Sequence, residues 1–257
     1  MMYAIQWLRS LLFIGQMYLA MFVMALFFIP MTMIKRENSY WAVRSYCRWV
    51  RWTASWMVGL KSEVRGEVPS DEVLVASKHQ SFFDIILIVS AVPRPKFIMK
   101  AVLKWAPILG WFALKIGCVP VERGKRGAAI KQMVADVKSG AQLPGQLIIF
   151  PQGTRVAAGA HLPYKVGAAV LHQQTGQPVV PAATNVGVFW PRHGIYRKPG
   201  LAVVEFLPQL RAEDLDGMDA GEITKVLEQA IEPASNRLMA EAGFLIGEQG
   251  QPTEAKD

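Results

Sequence analysis

Cysteine is nearly absent from this chain: Cys47 and Cys118 are the whole complement in 257 residues. Predicted elements of different type separate them, which excludes a disulfide framework and a CxxC redox or metal site and suits a reducing compartment. Histidine is scarce too. His79, His161, His172 and His193 match no HExxH-type spacing and no acidic cluster joins them, so no catalytic metal is predicted. No internal repeat is visible. No RNP, zinc-finger or helix-turn-helix pattern accompanies the basic residues, and the aromatics keep to hydrophobic stretches, so nucleic acid is not the expected partner. The longest absence is of charge: residues 10–34 contain no Asp, Glu, Lys or Arg.

As a helix that uncharged run is about 37 Å long, against a hydrocarbon core of about 30 Å. It is long for a signal-peptide core and ends in Pro30 and Lys35-Arg36 without a small-residue cleavage site, so it reads as retained. Arg9 stands alone before it, whereas Lys35, Arg36, Arg44, Arg48 and Arg51 follow, which places the rest of the chain on the cytoplasmic side. Over residues 39–60, Trp41, Trp49, Trp52 and Trp56 interleave with Arg44, Arg48 and Arg51. That pattern suits a headgroup boundary, with guanidinium groups reaching lipid phosphate; the competing reading is a helix packed on the domain that follows. The mean hydropathy of +0.22 is high for a soluble enzyme and the excess lies before residue 60, so membrane lipid is an expected partner. Residues 1–60 carry a net charge of +5, residues 61–210 carry +10 and the remainder −7. A basic body under an acidic tail points to an anionic surface or ligand.

After residue 61 the pattern alternates. Residues 73–76, 97–99, 119–121, 147–150, 179–183 and 202–206 read as strands, and 82–91, 101–116, 127–139 and 166–175 as helices. This predicts an α/β sheet with crossover helices. Residues 220–244 read as a terminal helical pair broken at Pro233, followed by a disordered last dozen. Three regions follow: membrane-associating helices over 1–60, an α/β domain over 61–215, and carboxy-terminal helices with an acidic tail over 216–257.

The chemistry begins at Lys78-His79-Gln80-Ser81-Phe82-Phe83-Asp84. An imidazole becomes a general base near neutral pH when one ring nitrogen faces the reacting hydroxyl and a carboxylate holds the other. A five-residue offset lets Asp84 reach back to His79 from the first turn of a helix starting near Phe82. Backbone N–H groups over Gln80 to Phe83 are candidates for stabilising an oxyanion. Ser81 reads as a helix cap and Cys118 as packing, since neither lies in a recognised nucleophile context. Further blocks follow strand-like runs: Gly117-Cys118-Val119-Pro120-Val121-Glu122-Arg123, Phe150-Pro151-Gln152-Gly153-Thr154-Arg155, and Val179-Val180-Pro181-Ala182-Ala183.

In order and spacing these blocks resemble the glycerolipid acyltransferase family, in particular the bacterial 1-acyl-sn-glycerol-3-phosphate acyltransferases, with their HxxxxD, strand-ending Arg, FPEGTR and VPV-like segments. The resemblance covers residues 60 to 210 and takes in Lys100, Pro107 and Gly110. The chain departs from the pattern at Gln152, where the family usually has Glu, and at Val102, where an acid is common. The resemblance implies a mixed sheet flanked by helices, preceded by a hydrophobic two-helix membrane motif. It also implies transfer of an acyl group from acyl-CoA or acyl carrier protein to lysophosphatidic acid, with no cofactor beyond that co-substrate. His79 and Asp84 would be catalytic, while Arg155, Gly153, Thr154, Arg123, Lys100 and Gln152 would bind the phosphate-bearing acceptor. Acylation of another lysolipid, such as a lyso-ornithine lipid or lysophospholipid, and a catalytically silent membrane-binding relative are the alternatives.

Overall fold

The structure is a computed structural model that describes residues 2–121, Lys131 and 144–244. Arg123, the helix predicted over 127–139 apart from Lys131, and the last dozen residues lie outside the described residues. The chain opens with helix α1 (Met2–Ile34) and helix α2 (Asn38–Met57). By length and composition alone, α1 is apolar enough to cross a membrane. Next come β1 (Leu60–Arg65), β2 (Leu74–Ser77), α3 (Phe83–Ala91) and β3 (Pro95–Lys100). A 3-10 turn over Ala101–Trp105 leads to α4 (Leu109–Lys115), β4 (Val119–Val121) and β5 (Gln146–Ile149). The remainder is α5 (Gly167–Thr175), β6 (Val179–Thr184), β7 (Gly200–Phe206) and α6 (Ala220–Glu241).

Seven strands make one mixed sheet in the order β1-β7-β6-β2-β5-β3-β4, with β6 and β7 antiparallel and every other pair parallel. Strands β2, β5 and β6 are buried along their whole length, which explains why they read as continuous apolar runs. Their side chains alternate between two cores. Val75, Ile148, Val180 and Ala182 face the cluster that includes Phe83, Ile86 and Val50. Leu74, Leu147, Ile149 and Val179 face the cluster formed with Leu171 of α5 and Ile223, Leu227 and Ile231 of α6.

The two amino-terminal helices share the first of these cores. Phe13 and Met17 of α1 and Cys47, Val50 and Ala54 of α2 belong to it, and Phe13 meets the Trp190 ring edge-on at 5.7 Å. Polar contacts fix the amino-terminal half of α1: the Gln6 amide donates to the Val58 and Arg197 carbonyls, and the Arg197 N–H donates to Ser10 Oγ. Farther along, Phe28 stands on Trp41 at 4.8 Å and joins Ala25, Ala42 and Phe112. Helix α2 is therefore packed on the domain through one face while Trp41, Trp49, Trp52 and Trp56 remain exposed on the other. Arg51 is not available to lipid phosphate. Its guanidinium donates to Ser62 Oγ and Ser90 Oγ at 2.9 and 2.8 Å, holding α2 to β1 and α3.

Three elements differ from the sequence expectation. Strand β1 had no place in the predicted set, because Leu-Lys-Ser-Glu-Val-Arg carries only two apolar residues; it gains its order by pairing with β7 from Leu60↔Gly200 to Arg65↔Glu205. The helix expected over 101–116 is split. Ala106 precedes Pro107 and is extended, and Ile108 takes φ 59°, so the chain turns before α4 starts. Conversely, α6 runs through Pro233 as one helix. Loss of one N–H there is outweighed by a buried stripe on both sides, Ile223, Leu227 and Ile231 before it and Leu238 and Met239 after. A capping box anchors its start: Asp219 accepts from the Glu222 N–H and Glu222 from the Asp219 N–H, both at 2.8 Å.

Because Phe13 is fully buried, Phe13→Ala should cost about 3–5 kcal/mol. Thermal unfolding in detergent will show this as a lowered Tm. An unchanged Tm means α1 is not part of the folding unit.

Candidate active site

Strands β6, β2, β5, β3 and β4 run parallel, so their carboxyl ends open on one edge of the sheet. In open α/β sheets that edge is where ligands are held. His79 follows β2, the Phe150-to-Arg155 segment follows β5, and Lys100 ends β3. Strand β4 ends at Val121, and Arg123 lies outside the described residues.

At the end of β2 the backbone turns into α3 around one carboxylate. Asp84, fully buried in the first turn, accepts from the Gln80 and Ser81 N–H groups through Oδ2, both at 2.8 Å. His79 Nδ1 lies 3.0 Å from Oδ1 and 3.2 Å from Oδ2. The acceptor-only carboxylate therefore takes the Nδ1–H, which leaves the lone pair on Nε2. The His79 side chain is 13 % exposed, and its ring lies flat on Phe150 at 3.9 Å between centroids. Phe150 in turn faces Phe97. One face of the imidazole is thus shielded by the apolar ring of the residue that follows β5.

This turn corrects the expected oxyanion donors. The N–H groups of Gln80 and Ser81 are taken by Asp84, and that of Phe83 by Ser81 Oγ at 3.2 Å. The expected cap is displaced as well: the N-cap position of α3 is Phe82, which has no side-chain cap, and Ser81 stands one residue before it. Asp84 consequently has a structural duty besides orienting the ring.

The segment after β5 is a tight loop. Gly153 has φ +71° and its N–H donates to the Phe150 carbonyl at 2.8 Å. Only glycine takes that conformation readily. Gln152 is buried, its Nε2 donating to the Leu162 carbonyl, and its Oε1 has no partner among the described residues. It organises the loop and does not face open solvent. The half-buried Thr154 and Arg155 come next, and the Val156 N–H donates to the His79 carbonyl at 2.8 Å, so the base and the loop share a backbone hydrogen bond. Arg155 Nη1 donates to the Arg192 carbonyl at 3.3 Å, and Arg192 Nη1 donates back at 3.4 Å. Among the described residues no carboxylate lies within ion-pair distance of either guanidinium. Two unpaired cations beside one another are a ready anion site. Lys100 is exposed at the end of β3, with β5 between it and β2.

Sequence reasoning did not single out Arg192, Phe150 or the side chain of Lys78. Arg192 lies far along the chain from Arg155 and gave no spacing signal. Among the described residues, no three His, Cys, Asp or Glu side chains gather as a metal set. Cys118 is buried, and that burial pushes its thiol up to about 12, so it holds a proton at neutral pH and is no nucleophile.

Residues 61–185, which contain both the His79 turn and the Arg155 loop, match the acyltransferase family. That segment is an acyltransferase-family domain. The 1-acyl-sn-glycerol-3-phosphate acyltransferase of Pseudomonas aeruginosa is 28 % identical over 216 residues, 82 % of this chain and 84 % of that relative. The enzyme of the same name from Saccharomyces cerevisiae is 30 % identical over 184 residues, 68 % of this chain and 60 % of the yeast protein. The crystal structure of the 1-acyl-sn-glycerophosphate (LPA) acyltransferase PlsC from Thermotoga maritima has the same fold, with a TM-score of 0.77 at 20 % identity over 91 % of this chain and 98 % of that one. The agreement in fold extends to the amino-terminal helices, which lie outside the matched family segment.

For an acyltransferase built this way, Asp84→Asn should be more damaging than a simple loss of charge. One oxygen must then serve three donors while an NH₂ group faces them, so stability should fall by about 1–3 kcal/mol. The variant should also lose about a hundredfold or more in turnover. Parallel unfolding and transfer assays check both. Cys118→Ser should keep near wild-type turnover.

Proposed function

We propose that this protein transfers a fatty acyl group from a thioester donor, acyl-CoA or acyl carrier protein, to the sn-2 hydroxyl of 1-acylglycerol 3-phosphate, making phosphatidic acid. The observation that carries the proposal is the hydrogen bond from the Val156 N–H to the His79 carbonyl, which joins a carboxylate-held imidazole to the loop of Arg155, whose guanidinium, like that of Arg192 beside it, has no carboxylate partner among the described residues. An acceptor with a hydroxyl near a phosphate matches those two features at once. Similarity to relatives named for this reaction supports the same acceptor.

In this reading Nε2 of His79 takes the proton of the acceptor hydroxyl as its oxygen attacks the thioester carbonyl. The tetrahedral intermediate collapses with cleavage of the C–S bond, and the departing thiolate receives the proton from the imidazolium. Thioester to ester transfer is downhill, so positioning, a base and charge stabilisation are what the chemistry needs. Arg155 holds the phosphate in a bidentate grip with Arg192 beside it, and the Gly153 turn lets the backbone approach closely. Lys100 adds charge from the end of β3, and Arg123, outside the described residues, is a further candidate for the same anion. The Asp84 carboxylate keeps the ring in the productive tautomer and stabilises the imidazolium.

Helices α1 and α2 would seat the open edge of the sheet at the cytoplasmic face of a membrane. The exposed apolar surface of α1 beyond Arg9 enters acyl chains and the exposed Trp residues of α2 sit at headgroup level. Lipid-borne acceptor then reaches His79 without leaving the membrane surface.

The test is purified protein in detergent with radiolabelled acyl-CoA and a panel of lysolipids. Wild type should prefer lysophosphatidic acid, and His79→Ala should lower turnover by about a hundredfold to ten-thousandfold. Arg155→Ala should raise the acceptor KM at least about tenfold and leave the donor KM unchanged, since a charge-assisted contact is worth about 1.5–3 kcal/mol. Arg155→Lys should recover only part of that loss. A better rate with a lysolipid lacking a phosphate monoester, or near wild-type turnover in His79→Ala, contradicts the proposal.

A further inference from the structure

The residue before the base is a lysine with almost no solvent: the Lys78 side chain is 1 % exposed. A buried ammonium needs a counter-charge. Glu232 of α6 supplies it, its Oε2 lying 2.5 Å from Nζ. The second oxygen is also used. Glu232 Oε1 accepts from the Tyr164 hydroxyl at 2.9 Å, and Tyr164 ends the loop that carries Arg155, just before Lys165 donates its N–H to the Pro151 carbonyl. One carboxylate therefore joins the base-bearing strand end to the far end of the anion loop. Burial, with the Glu232 charge adding to it, raises the Tyr164 hydroxyl above its usual range, so it stays a donor.

Helix α6 makes two more polar contacts with these segments, and the chain just after it makes a third, apolar one. On the other side of His79, the Gln80 amide donates to Met239 Sδ at 3.4 Å while its Oε1 accepts from the Gly187 N–H. One turn before Glu232, Glu228 meets His161 Nε2 at 2.6 Å, a second strap on the loop. At Gly159, φ +76°, an added Cβ would stand 2.9 Å from the Phe244 ring, so the loop also lies directly on the chain that follows α6. Both neighbours of His79 and two points of the loop, His161 and Tyr164, thus rest on α6, and Gly159 rests on Phe244 just after it; all of these supports lie beyond the matched segment 61–185.

We propose that Glu232 is a positioning residue for acyl transfer, setting the spacing between His79 and Arg155 by holding Lys78 with one oxygen and Tyr164 with the other. This rests on the reading of His79 as base and Arg155 as phosphate contact. A group that only stabilises the fold lowers the amount of active protein and leaves both Michaelis constants alone. A group that sets the spacing changes kcat and the acceptor KM together in protein that is fully folded.

Glu232→Gln keeps the shape and an acceptor for Tyr164 but leaves the Lys78 ammonium without a counter-charge. In the full-length protein it should lower kcat about tenfold and raise the KM for lysophosphatidic acid several-fold, with the acyl-CoA KM unchanged. Glu232→Asp should also lose activity, because the shorter side chain cannot reach both partners. Tyr164→Phe frees only the loop, so it should raise the acceptor KM with a smaller loss of kcat than Glu232→Gln. Where Glu232→Gln does not fold, the pair Lys78→Met with Glu232→Leu removes both charges together, which restores folding without restoring the link to Tyr164. That double variant should still show the reduced kcat and raised acceptor KM. Wild-type kinetic constants in the folded single or double variant overturn the inference, as does a loss confined to the yield of folded protein. If those results appear while His79→Ala and Arg155→Ala behave as stated above, the positioning role alone falls and the acyltransferase reading stands.

Discussion

A buried carboxylate must collect its hydrogen bonds from whatever the fold brings within reach, and at Asp84 the fold brings two backbone N–H groups and one imidazole. The need is reciprocal. Without the carboxylate, the turn from β2 into α3 has two N–H groups pointing into a site closed to water, and the ring of His79 has nothing to choose its tautomer. Local backbone geometry and the chemical state of the base are thus settled by one side chain. The ring packs on Phe150, the residue after β5, so β5 must be in register before the imidazole has a wall behind it.

The remainder of the molecule follows from the demand that this edge be both dry behind and open in front. Parallel strands place the turn, the Gly153 loop and Lys100 on one side of the sheet, while helices cover both faces. On the first face, α1 and α2 complete the core through Phe13, Val50 and Ala54 and keep their remaining apolar surface outward. On the second, α6 carries Ile223, Leu227 and Ile231 into the core and offers its acids at the rim of the site. Apolar packing and polar alignment are supplied by the same helix, which is why its continuity through Pro233 matters.

Much of this was legible in the residues, and the boundary is a matter of distance along the chain. The His79–Asp84 contact spans five residues, so helix geometry alone puts it within reach. The strands β2, β5 and β6 announce themselves because burial on both faces makes them uniformly apolar. Strand β1 does not, since an edge strand with three charged residues in six has no apolar run. The Lys78–Glu232 pair and the Arg155–Arg192 contact join residues from separate elements, and no local spacing encodes either. Arg51 shows the opposite error. Its place among tryptophans suggested lipid phosphate, but two serines from β1 and α3 claim it. The N–H groups at the start of α3 suggested an oxyanion site for the same reason: their number was visible and their partners were not.

The central claim is that Asp84 fixes the tautomer of His79, leaving Nε2 free to take a proton. Nitrogen-15 spectra of the detergent-solubilised, histidine-labelled protein, with His79 assigned by a His79→Gln variant, report the protonation of each ring nitrogen directly. The account predicts a proton on Nδ1 and an unprotonated Nε2 at neutral pH. A proton on Nε2 with Nδ1 bare would contradict it.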